Sequence, residues 1–213
     1  MYLILFLWFT PYLSYFYIIF EILFFPFLFY LWTYKNNIKT YHYYYLFYFL
    51  GSIFLLYSLL ICTYIGLNNY IFINKYQSFS LSLLLFIGFL FKLPIIPFHK
   101  WLPLLHTLSP TDSSIILSSL ILKLAFFGIY KFIYLKSGYN ILIIGFTLYY
   151  ILILSIELLY KTNIKEIIAY SSIIHMSLLL ISYLSFNTKG LILYMIAHGL
   201  TSSGLFKITR RNI

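Results

Sequence analysis

Five titratable side chains stand inside otherwise apolar stretches of this 213-residue sequence: Glu21, Lys92, Lys123, His175 and His198. A carboxylate and an amine are the parts of a proton switch. Burial disfavours the charged form of either group and a nearby opposite charge favours it, so approach or withdrawal of Glu21 changes how firmly Lys92 holds its proton. Imidazoles relay protons near neutral pH. The setting of Lys92, GFLFKLPIIPFHKWLPLLH, adds Pro94 and Pro97 directly after the cation. Proline in a helix interior removes a backbone hydrogen bond and clashes with the carbonyl four residues earlier, here Leu90 and Leu93. The spacing predicts a helix break beside the lysine, with freed carbonyls that water solvates.

The elements that position these residues are membrane spans. With 63% hydrophobic and 8% charged residues and a mean hydropathy of +0.95, the chain is far from a soluble domain, in which roughly 25% of residues are charged. Runs long enough to cross a hydrocarbon core lie near 10-33, 42-66, 79-105, 112-134, 139-160, 165-186 and 190-208. The fold class is therefore all-α, a polytopic transmembrane helix bundle of about seven spans over one domain, 1-213, with at least one discontinuous, proline-broken helix. The opening residues, MYLILFLWFTPYLSYF, carry neither a basic flank nor a small-residue cleavage site and read as neither a signal nor a transit peptide. Alternating the loops between two faces puts Lys35, Lys39, Lys100, Lys161, Lys165, Lys207, Arg210 and Arg211 on one side and Lys75, Lys131, Lys136 and Lys189 on the other. The positive-inside rule makes the first face the inner one. The net charge of +10 is thereby a matter of orientation, and no nucleic-acid partner is expected.

Lys92 and Lys123 fit no loop. At 1.5 Å per residue they lie roughly 20 Å and roughly 17 Å into their segments, and Glu21, His175 and His198 roughly 17, 15 and 12 Å into theirs. All five share the midplane of a core about 30 Å thick, where an ionisable group marks an ion path or proton relay. The plain alternatives are a structural ion pair for Glu21 and Lys92 and a hydrogen-bonded core position for each histidine. Asp112 suits the first turn of the fourth segment, where the helix dipole favours an anion. Glu157 and Glu166 fall beside the loop cations Lys161 and Lys165. The single cysteine, Cys62, excludes an internal disulfide and a cysteine metal cage. No phosphate loop, haem attachment or iron–sulfur spacing is present, so no cofactor is expected in this chain. Abundant Tyr and Phe beside scarce Gly, Ala and Val is the bias of AT-rich codons and suggests an organelle genome.

The run FKLPIIPFHKWLPLLHTLSPTDSSIILSSLILKLAFFGIYKF resembles the signature of the antiporter-like subunits of respiratory complex I. It has the lysine, the broken helix, an H-x-W-L-P-x-x-H-x-x-x-P loop and a second lysine in L-K-x-x-x-x-G. IKEIIAYSSIIHMSLLL and MIAHGLTSSGLF resemble the NADH dehydrogenase subunit 4 branch of that family, and FEILFFPFLFYLW its glutamate-bearing helix. The resemblance implies proton translocation across the mitochondrial inner membrane, coupled to electron transfer in other subunits. It makes Glu21 and Lys92 the functional pair, Lys123 the next relay group, and His175 and His198 stations beyond it. Ser118, Ser119, Thr201 and Ser202 would anchor waters. NAD, FMN, iron–sulfur clusters and ubiquinone would belong to other subunits, and the partners would be membrane lipids and the rest of the membrane arm. A cation/proton antiporter or membrane hydrogenase subunit shares the same features, and a non-conducting scaffold is the remaining alternative. The chain departs from the pattern at Asn163, where an acidic residue is expected, and at Thr111 and Asp112, where small residues are expected. It also lacks the family's first and last helices, which implies a separate polypeptide completing the channel or a fragmentary sequence.

Overall fold

The computed structural model describes residues 10–33, 38–67, 69, 71, 73, 78–95, 97–133, 137–185 and 188–211. The loop cations Lys35, Lys75 and Lys136, the side chains of Lys39, Arg210 and Arg211, and residues 1–9 lie outside that description. The helices are α1 (Leu13–Thr33), α2 (Ile38–Ile65), α3 (Phe79–Lys92), α4 (Trp101–Leu108), α5 (Thr111–Phe132), α6 (Ser137–Leu159), α7 (Ile164–Leu184) and α8 (Thr188–Arg211). The sequence segments recur in order, with the third divided into α3 and α4. Five helices among the described residues are long and apolar enough to cross a membrane.

Local chemistry sets the helix ends. The Ser78 side chain accepts from the Leu81 N–H at the start of α3, and the Asn163 side chain accepts from the Lys165 N–H at 3.0 Å at the start of α7. Asn caps as well as Asp, so the departure at Asn163 leaves the turn intact. Asp112 occupies the first turn of α5, as its position in the sequence implies. At the end of α2, Gly66 adopts φ 79°. The Leu67 N–H reaches the Cys62 carbonyl at 2.8 Å and the Gly66 N–H the Thr63 carbonyl at 3.2 Å, closing the helix with a left-handed glycine.

The break after Lys92 is tighter than proline chemistry alone implies. Leu93 is extended and its N–H bonds the Phe89 carbonyl. The Leu93 carbonyl is not free for water: it accepts from the Ile95 N–H at 2.8 Å. Chain direction then changes over Pro97 and Phe98, whose N–H bonds the Ile95 carbonyl, before α4 begins. Pro103 falls in the first turn of α4, where its missing donor costs nothing.

Helix α5 is the hub, its span 61% buried against 11% for α6. It packs on α3 through Gly128, where a Cβ would stand 2.3 Å from Phe89 Cε1. On its other side it meets α8 across Gly199, where a Cβ would stand 3.3 Å from the Ser119 carbonyl. Helices α2 and α3 close on Gly51 and Gly88, where added Cβ atoms would meet Lys92 Cγ at 3.0 Å and Leu55 at 2.9 Å. Small residues bring membrane helices together in this way, since lipid supplies no hydrophobic drive between them. The core is aromatic, with Phe16 meeting Phe89 and Phe132, Phe20 meeting Phe89, and Phe24 packed on Phe20. Helix α4 lies between α2 and α7.

Candidate functional site

Lys92 is the last residue of α3 and is buried, its side chain fully enclosed. A half-helix of 14 residues is about 21 Å long, so its carboxyl end falls inside the core, and that end of the dipole favours a cation. The ammonium bonds Glu21 Oε1 of α1. The Tyr48 hydroxyl of α2 donates to Glu21 Oε2, and the Ser52 hydroxyl lies 3.2 Å from the same oxygen. Around the ammonium, the rings of Tyr48, Phe20 and Phe24 stand with centroids at 4.5, 4.6 and 5.2 Å. The wet space expected around Lys92 is instead a packed aromatic enclosure, because Gly51 lets α2 close over the lysine stem.

Lys123 belongs to a second cluster. Residues Leu117–Ile121 of α5 form a π turn, a local under-winding frequent at functional sites, and the Lys123 ammonium bonds the Ser118 carbonyl within it. The side chain lines a groove of about 360 Å³ with Ser119, Met195 and Gly199, between α5 and α8. Lys123 does not share the enclosure of Glu21 and Lys92; it faces the opposite side of α5.

The two histidines meet across α7 and α8, their ring centroids 5.2 Å apart. His175 Nδ1 hydrogen-bonds the Tyr194 hydroxyl. His198 is buried, and its Nε2 has no protein partner among the described residues. Both line a cavity of about 300 Å³ with Ser171, Thr201 and Ser202. His106 of α4 is fully buried, with neither ring nitrogen bonded to a partner among the described residues and its ring stacked on Phe206 of α8 at 4.6 Å. Its position in the H-x-W-L-P-x-x-H run was the signal for it. Tyr48 had no such signal, because one tyrosine among 24 stands out only through its partner. At the start of α7, the Lys165 ammonium reaches the Ser109 carbonyl at 3.3 Å, and Lys161 pairs with Glu166 at 2.9 Å. Glu157 is exposed.

A family described as NADH:quinone oxidoreductase/Mrp antiporter, TM, matches residues 11–212. The chain belongs to that family. Similar proteins include NADH-ubiquinone oxidoreductase chain 4 of Wickerhamomyces canadensis, 39% identical over 81% of this chain and 37% of that protein. NADH-quinone oxidoreductase subunit M of Rickettsia conorii is 36% identical over 83% of this chain and 39% of its own length. This chain therefore spans well under half the length of these relatives. Among solved structures, a chain of the archaeal membrane-bound sulfane sulfur reductase complex matches with TM-score 0.78 and 19% identity over 92% of this chain and 36% of that one. It shows that the two chains share an all-helical fold. Multi-pass insertion in a membrane follows from the family and the apolar helices together.

Proposed function

We propose that this chain is a proton-translocating membrane subunit of NADH:ubiquinone oxidoreductase in the mitochondrial inner membrane. The observation that carries the reading is the buried ion pair of Glu21 with Lys92 at the broken end of α3, in a chain of this family. The names of the relatives support the enzyme; mitochondrial origin is supported by the chain 4 proteins of tick and yeast and by the organelle-like composition. Electron transfer, with NAD, FMN, iron–sulfur clusters and ubiquinone, belongs to other subunits.

The residues act in sequence. Glu21 and Lys92 exchange a proton as the carboxylate shifts on and off the ammonium. His106, buried on α4 against Phe206 of α8, passes the proton toward Lys123. Lys123 then addresses His198 and His175, where Thr201 and Ser202 hold water in the cavity they share. A separate polypeptide of the membrane arm covers the open side of α7 and α8. It supplies the titratable group that receives the proton.

Lys92→Ala tests the reading. Vesicles carrying the assembled complex are followed for NADH oxidation and for the pH gradient. The expected result is loss of the gradient, alone or together with oxidation, in a complex that still assembles. Full oxidation with a full gradient would leave a non-conducting scaffold. A gradient that requires sodium would instead favour the cation/proton antiporter reading.

A further inference from the structure

We propose that Tyr48 is a positioning residue for the Glu21–Lys92 pair: its hydroxyl tethers the carboxylate while its ring, with Phe20 and Phe24, cages the ammonium. The inference rests on the pair carrying protons, and it says which partner is held and by what.

The carboxylate has one oxygen for each neighbour. Oε1 takes Lys92 and Oε2 takes the Tyr48 hydroxyl. Ser52 is the weaker candidate for the second place. Its single proton is shared between Glu21 Oε2 at 3.2 Å and the Tyr48 carbonyl at 2.9 Å, so it can turn away from the carboxylate without losing a bond. The tyrosine hydroxyl has no such alternative among the hydrogen bonds of this site. A phenol donating to a carboxylate is charge-assisted and correspondingly strong.

The ammonium has three protons and spends one on Glu21. Its other sides face the rings of Tyr48, Phe20 and Phe24 at 4.5–5.2 Å, within the range of cation–π attraction. These faces hold a cation in place with no polar partner of their own. Lys92 therefore has a fixed seat whether or not Glu21 is on it, and the movable member is the carboxylate. Tyr48 is itself clamped. Phe24 lies 5.7 Å from its ring and Tyr44 6.3 Å, and Tyr44 rests on Trp101 of α4 at 5.3 Å. Tyr44, Tyr48 and Ser52 follow one face of α2 at intervals of four. Through Trp101 the tether is mechanically joined to α4, the element bearing His106, so a shift of α4 reaches Glu21 through rings in contact. The titratable groups facing the carboxylate are Tyr17 of its own helix, Tyr44 and Tyr48 of α2, and Lys92 of α3.

The test uses the assembled complex in vesicles with Tyr48→Phe, Tyr48→Leu, Glu21→Gln and the double variant Tyr48→Phe/Glu21→Gln. Tyr48→Phe keeps the ring and its packing and removes only the tether. It should lower NADH-driven proton accumulation by about tenfold, the scale of one charge-assisted hydrogen bond, and displace its pH profile. Tyr48→Leu, losing ring and tether, should fall further, with Phe a partial rescue. In the Glu21→Gln background Tyr48→Phe should add nothing, since two residues acting through one interaction are not additive. A second readout does not depend on pumping: a hydrophobic carbodiimide should modify Glu21, scored by mass spectrometry, several-fold faster in Tyr48→Phe membranes than in wild type. Wild-type pumping and labelling in Tyr48→Phe would overturn the tether, as would an equal loss in the Glu21→Gln background. With Lys92→Ala inactive, that outcome sinks the tether alone; with Lys92→Ala fully active, the proton-carrying reading fails first.

Discussion

At the scale of residues, the ion pairs of this chain differ by what surrounds them. Glu21 and Lys92 are sealed among rings, where removing one partner strands a buried charge. Lys161 and Glu166, in contrast, pair at 2.9 Å on a surface turn with about a quarter of each side chain exposed, and such pairs contribute about 1 kcal/mol or less. The Glu166 carboxylate bonded to it holds the Lys161 ammonium above its ordinary lysine value. A folded-state value that is raised stabilises the fold below the lysine's unfolded value, and the contribution disappears as pH rises through the folded one. Glu166→Ala should therefore lower thermal stability slightly at neutral pH. The difference from wild type, followed by thermal denaturation of the purified complex, should vanish at strongly alkaline pH; a gap that persists there would mean that Glu166 acts by packing.

At the scale of elements, the π turn Leu117–Ile121 decides where Lys123 points. The extra residue shifts everything after it around the helix axis by about 100°. Deleting Leu120, which is exposed, should restore plain α-helical register and carry Lys123 away from the groove shared with Met195 and Gly199. The expected phenotype is a membrane-inserted chain with proton pumping lost. If the deletion variant pumped normally, the aim of Lys123 at α8 would be irrelevant to transfer. The broken α3 works by the same economy: fourteen residues end where a cation is needed, and the dipole of the half-helix supplies part of its stabilisation.

At the scale of the whole molecule, α5 separates two polar clusters, and α4 and the aromatic core are what join them. The outer side of α8 is the open question of assembly. Among the described residues His198 presents a buried Nε2 without a protein partner to a cavity, while Leu200 nearby is 70% exposed, and polar groups buried among apolar helices require partners. A cysteine at Leu200, in a chain with Cys62→Ser, should cross-link within the assembled complex to a membrane-arm polypeptide carrying its own titratable residue. If a lipid-soluble reagent labels that cysteine freely and no cross-link forms, lipid alone covers this face and the proposed completing polypeptide is wrong.

By itself the sequence determined the apolar helical segments, their order and the break after Lys92. These depend on local length, hydropathy and proline, and they recur at α1 to α8 with only the ends moved. It did not determine which faces meet. In helices apolar on nearly every side, periodicity carries little information about rotation, so phase is set by close approach at Gly51, Gly88, Gly128 and Gly199 and by ring packing. The Glu21–Lys92 pair, already named by the family resemblance, closes across 71 residues, whereas Tyr48 becoming the second partner of Glu21 and Lys123 turning to α8 and not to Lys92 are tertiary decisions. The charges had to be satisfied somewhere among apolar helices; only packing settled how.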